Sequence, residues 1–127
     1  MGSITSEELK ERTIKFALEV INLCTSIKRT NAGDVIARQL IRSGTSVGAH
    51  YHEACRARSD AEFISKIAGA QQELEESIYW LKLMSHASLT TITHTSQISF
   101  EAEELMAIFS ASVKTVKSRS SDSRPKQ

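Results

Sequence analysis

The sequence predicts an all-α chain, an antiparallel up-down-up-down four-helix bundle, and three observations point to it. Apolar residues recur at alternating spacings of four and three in four separate segments, the pattern of helices packed at shallow angles. One proline and five glycines leave few breakers in 127 residues. The segments are rich in Ala, Leu, Glu, Lys and Gln, which favour helix over strand.

The first stripe is Leu9, Thr13, Phe16, Val20, Leu23, Ile27. The second is Ile36, Leu40, Ser43, Val47, His50, Ala54. The third is Phe63, Ile67, Ala70, Leu74, Ser77, Leu81, Met84. The fourth is Ile98, Ala102, Leu105, Phe109, Ser112, Val116. These stripes predict helices over 7–29, 34–57, 60–86 and 97–117. Thr30-Asn31-Ala32-Gly33 reads as the stop of the first, with Asp34 capping the second. Ser59 followed by Glu62 matches a capping box for the third. Thr95 or Ser96 is the expected cap of the fourth. Short connections make successive helices antiparallel neighbours. The expected organisation is one bundle domain over 1–117 and a disordered basic tail over 118–127.

Composition narrows the function classes. The apolar fraction is 40% and the charged fraction 24%, ordinary for a globular domain. No apolar run approaches the ~20 residues of a membrane span, and Glu7, Glu8, Lys10 and Glu11 interrupt any secretory h-region. A cytoplasmic location is expected, with Cys24 and Cys55 reduced and packed as small core residues. The net charge of +1 is unevenly spread. Residues 28–58 carry +4, residues 60–104 carry −6, and the tail 117–127 carries +3. The body is therefore no general polyanion binder, and any phosphate-binding site has to be local. Arg38, Arg42, Arg56 and Arg58 are the candidate phosphate contacts.

The second segment is the unusual one. Arg42-Ser43-Gly44-Thr45-Ser46-Val47-Gly48-Ala49-His50 is poor helix material, each glycine costing about 1 kcal/mol relative to alanine. Gly44 and Gly48, four apart, open one face to a close neighbour: another helix of the bundle, a second subunit or a ligand. Beside the apolar stripe runs a polar ridge, Gln39, Ser43, Ser46, His50, Glu53, which reads as a buried hydrogen-bonding seam. Its expected partners are Gln71, Gln72, Glu73 and Glu76. Two catalytic readings of the ridge fail. Ser46, His50 and Glu53 lie on one straight helix with no oxyanion donor, which does not aim them at one reacting atom. His50 and Glu53 with Glu73 and Glu76 reverse the Glu-x-x-His order of di-metal bundles and supply it once. No catalytic residue, metal, cofactor or small-molecule substrate is expected. On the third segment Tyr79, Trp80 and Leu83 lie off the core stripe, either wrapped over a helix edge or anchoring a subunit interface.

The run Arg42 to Ala54, with Ser43, Ser46, Val47, Ala49 and Glu53 at motif positions, resembles the bacterial "four helix bundle protein" or 23S ribosomal RNA intervening-sequence protein family. The run Glu62 to Ile67, then Glu73, Glu76, Tyr79, Trp80, Leu81 and Leu83, is similar to the same family. His50 stands where the family usually has Asn. The resemblance implies a bundle assembling as a homopentameric ring. It also implies kinship to the accessory protein of diversity-generating retroelements, which binds nucleic acid and a reverse transcriptase. Two functions compete on these grounds: a non-enzymatic oligomer binding RNA, DNA or a nucleic-acid-processing protein such as a reverse transcriptase, and a structural adaptor without nucleic acid.

Overall fold

The computed structural model describes residues 4–123. It contains four helices: α1 (Ser6–Ser26), α2 (Asn31–Ala54), α3 (Asp60–His86) and α4 (Ile92–Ser123). Among the described residues there is no strand. Each helix packs on the next and α4 returns to α1, closing a four-helix bundle. Its centre is filled by the expected stripes: Phe16, Val20, Leu40, Val47, Ile67, Leu74, Leu105 and Phe109 are all fully buried. Burial of each such side chain contributes roughly 1.5–3 kcal/mol relative to exposure.

The helix ends differ from the sequence expectation, and the caps explain how. Thr30 does not close α1. Its hydroxyl accepts from the Gly33 amide at 2.9 Å, so Asn31-Ala32-Gly33 form the first turn of α2 and Asp34 is inside it. Gly33 fits there closely, because a Cβ would sit 3.0 Å from the Lys28 carbonyl oxygen. α1 ends at Ser26, since Ile27 turns extended to keep its side chain in the core. α4 starts earlier than expected, at Ile92, because the Thr91 hydroxyl caps the His94 amide at 3.2 Å. Thr95, one of the two expected caps, is instead buried inside the helix. At its other end α4 runs to Ser123, past the expected helix end at 117. No glycine or proline stops it before Pro125. The rest of the expected tail, 124–127, lies outside the described residues. α3 matches the expectation, with Ser59 accepting from the Glu62 amide at 3.1 Å. The Glu62 carboxylate accepts from the Arg58 amide, at 3.0 Å, in place of the capping residue's own.

α3 ends in a paired 6→1 and 5→2 closure. The Leu89 amide donates to Met84 O at 3.0 Å and the Ser88 amide to Ser85 O at 3.0 Å. Leu89 and Met84 are both buried, the apolar contact that goes with this closure. Lys28 N then donates to Leu89 O at 3.1 Å, tying the α1–α2 and α3–α4 connections together at one end of the bundle. The residue at the left-handed position is Ser88, at φ 58. Glycine takes this conformation without the strain a Cβ introduces. Ser88→Gly is therefore expected to raise stability by about 1 kcal/mol. Urea denaturation checks it, and an unchanged or lower midpoint contradicts it.

Candidate nucleic-acid interface and polar seam

The close approach permitted by Gly44 and Gly48 is spent inside the chain. Both are buried. A Cβ on Gly44 would meet both Val20 methyls at 3.0 Å, and one on Gly48 would meet Thr13 Oγ1 at 3.0 Å. Of the close neighbours expected for these two positions (another helix, a second subunit or a ligand), the one present is α1 of the same bundle. The Thr13 hydroxyl, buried beside them, donates back to Lys10 O at 2.7 Å and leaves no unpaired polar atom.

The other inner face of α2 meets α3 along the polar ridge. Ser43 and Ser77 are both fully buried, with hydroxyls 2.8 Å apart. Each has a carbonyl of its own helix in reach, Leu40 O at 3.2 Å and Glu73 O at 2.8 Å. Two hydrogens thus find acceptors without any partner from the glutamines expected there. Gln71 instead donates to Ser110 Oγ on α4 at 2.9 Å, and Gln72 is exposed. Glu73 and Glu76 bind Arg42. Glu73 accepts from its guanidinium at 3.3 Å, and Glu76 accepts from Nη2 and, at 3.2 Å, from the Trp80 indole N–H. Gln39 accepts from Arg42 Nε at 3.4 Å. Further along the seam, Lys66 donates to Glu53 at 2.7 Å.

Ser46 donates to Arg42 O at 2.6 Å, within its own helix, and makes no bond to His50. The His50 ring lies against Gly69 of α3, where a Cβ would be 2.9 Å from its Cε1 and Nδ1. Its Nδ1 is buried without a hydrogen-bond partner among the described residues. Ser46, His50 and Glu53 therefore do not form a relay. Among the described residues no three His, Cys, Asp or Glu side chains converge as a metal site would require. His52 is half-buried, its Nδ1 donating to Gly48 O at 2.7 Å.

Trp80 is half-buried against the core, while Tyr79 beside it is 55% exposed and Leu83 is intermediate. Cys24 is buried and its thiol is pushed up to about 11 by burial. Cys55 was expected in the core but is exposed, just past the end of α2. No helix is long and apolar enough to cross a membrane among the described residues.

The four candidate arginines separate into two kinds. Arg42 is engaged by Glu73 and Glu76. Arg38, Arg56 and Arg58 are exposed, and none forms an ion pair with a described residue. What the sequence did not single out is the α1–α4 tie, where Arg12 binds Glu101 through two bonds of 3.0 and 2.5 Å. Nor did it pair Ser43 with Ser77, although both interrupt apolar stripes at core positions.

The hydrogen bond from Arg42 holds the Glu76 carboxyl below its ordinary range, and Lys66 does the same for Glu53. A carboxylate whose pKa is lowered by folding adds stability above its unfolded pKa, near 4.3, and that stability is lost as pH falls through the folded value. Arg42→Gln is expected to lower the urea midpoint slightly at pH 7, and the difference from the parent should close as pH is taken below about 4. A difference independent of pH contradicts this account of the clamp.

Comparison with known proteins agrees with the geometry. The family model described as 23S rRNA-intervening sequence protein matches residues 6–111. A crystal structure of a protein of unknown function from the S23 ribosomal protein family of Bacteroides thetaiotaomicron is similar, at 30% identity and a TM-score of 0.79. The match covers 87% of this chain and 99% of that one. No curated protein matches. The family model spans most of the chain, and the chain belongs to the 23S rRNA-intervening sequence protein family.

Proposed function

We propose that this is a non-enzymatic, cytoplasmic, oligomeric bundle that binds nucleic-acid phosphates through Arg38, Arg56 and Arg58. The observation that carries the reading is the state of these side chains: exposed, on or just beyond α2, and without an ion pair among the described residues. An arginine free of protein carboxylates keeps its donor fork for a phosphate. The family's name, tied to 23S rRNA, makes RNA the first ligand to test. Arg42 is left out of the proposed set because two carboxylates already hold it.

In this reading the helices alternate in direction. Supporting it, Val20 and Thr13 meet Gly44 and Gly48 in reversed order, as do Arg42 and Glu53 with Glu76 and Lys66. Self-association, with a pentameric ring as first guess, is supported by large apolar side chains left outside the core. Ile14 and Leu18, one turn apart on α1, are 45% and 53% exposed, and Phe100 on α4 is 65% exposed. The same exposed groups support the second reading, a protein-binding adaptor whose partner is another protein, such as a reverse transcriptase, with no nucleic acid.

The test is binding of RNA hairpins and duplex DNA across a salt series, beside oligomer mass by light scattering. Binding should weaken steeply with salt, and replacing Arg38, Arg56 and Arg58 by Gln should reduce the slope of log affinity on log salt by about 3, roughly one for each phosphate contact. The oligomer mass should not change. Absence of binding by the parent protein at low salt contradicts the reading and leaves the adaptor.

A further inference from the structure

At the end of the bundle holding the α2–α3 connection, the four helices leave a cavity of about 900 Å³. Its lining includes Tyr51, Phe63, Ile108 and Val116, and its polar groups include Arg58 and Arg119. Tyr51 and Val116 are 5% and 6% exposed, so the deep wall is fixed core and not mobile surface. The Tyr51 ring is 5.5 Å from Phe109, and burial raises its hydroxyl pKa further above neutrality. Arg58 and Arg119 are exposed and form no ion pair with a described residue. Asp60, the acidic residue of the lining, already has a partner, and nearby Glu62 accepts the Arg58 amide.

We infer that this cavity binds a small organic anion, an apolar body closed by a carboxylate or phosphate head, with the body against Tyr51, Phe63, Ile108 and Val116 and the head between Arg58 and Arg119. The volume is that of small-molecule sites, which combine apolar walls with a few polar groups. The charge of the two arginines selects an anion, since they present a net-positive mouth over an uncharged wall. A nucleobase fits less well, because Tyr51 offers no exposed ring face for stacking. The inference is independent of the nucleic-acid reading, with which it shares Arg58 alone.

The experiment titrates the full chain with decanoate and with decyl phosphate below their critical micelle concentrations, by calorimetry and amide NMR. Decanol and decyltrimethylammonium are the neutral and cationic controls. The expected result is saturable binding of one anion per chain, with shifts confined to cavity residues and a preference between heads that identifies carboxylate or phosphate. The Arg58→Gln, Arg119→Gln double variant should bind about tenfold more weakly, through loss of charge-assisted hydrogen bonds. Ala111→Trp, at an exposed lining position, should abolish binding while circular dichroism stays unchanged. If that variant fails to fold, the double arginine variant on the surface still decides. No saturable binding, equal binding of decanol or the cation, or an unaffected double variant overturns the inference.

Discussion

Gly44 has Val20 where its own side chain would be, with both methyls 3.0 Å from the place of a Cβ. Gly48 has Thr13 in the same relation, and on the neighbouring face Ser43 shares a buried hydroxyl pair with Ser77. At these three positions α2 therefore carries little side chain. That constraint sets the distances between three of the four helices. It also explains why a helix with poor intrinsic propensity is retained: tertiary packing, not propensity, holds most helices in proteins. Where hydroxyls replace methyls at this interface, each has an acceptor within reach, so the close approach leaves no hydroxyl unpaired.

The same economy places the charges. With its inner faces taken up by small residues and by Leu40, Val47 and Tyr51, α2 can present arginines only outward or along its flank. Arg42 falls on the flank, where α3 supplies Glu73 and Glu76, and it becomes part of the packing. Arg38, Arg56 and Arg58 fall clear of α3 and remain exposed. The basic 28–58 segment and the acidic 60–104 segment thus neutralise each other only in part, at Arg42, while the Lys66–Glu53 bridge joins a base of the acidic segment to an acid of the basic one. His50 follows the same geometric logic. The imidazole fits in the seam against Gly69, and its Nδ1 has no partner among the described residues.

The interiors of the helices were readable from the sequence because a heptad stripe averages over many residues, and Leu9 through Val116 pack much as that pattern requires. Helix ends were less readable because a threonine hydroxyl can cap, bond within a turn, or face solvent. Thr30 and Thr91 cap, while Thr95 is buried. Asn31-Ala32-Gly33 looks like a stop by composition, yet Gly33 is there for the tight packing of a helix start. The polar ridge was visible as a periodicity on α2. Its partners were not, because they depend on the register of α3 against α2, which one helix does not contain. Serine at a core position on each helix was the available signal for the Ser43–Ser77 pair.

The most direct test of the packing constraint is the stability of Gly44→Ala. Alanine is the better helix residue by about 1 kcal/mol, so propensity alone raises stability. Val20 is β-branched, fully buried and stiff, and it faces the added methyl with three atoms within 3.2 Å. The account expects the crowding to prevail, with a net loss of about 1–2 kcal/mol in urea denaturation. A variant more stable than the parent would contradict it, and would mean that α1 and α2 are not held as closely as Gly44 and Val20 require.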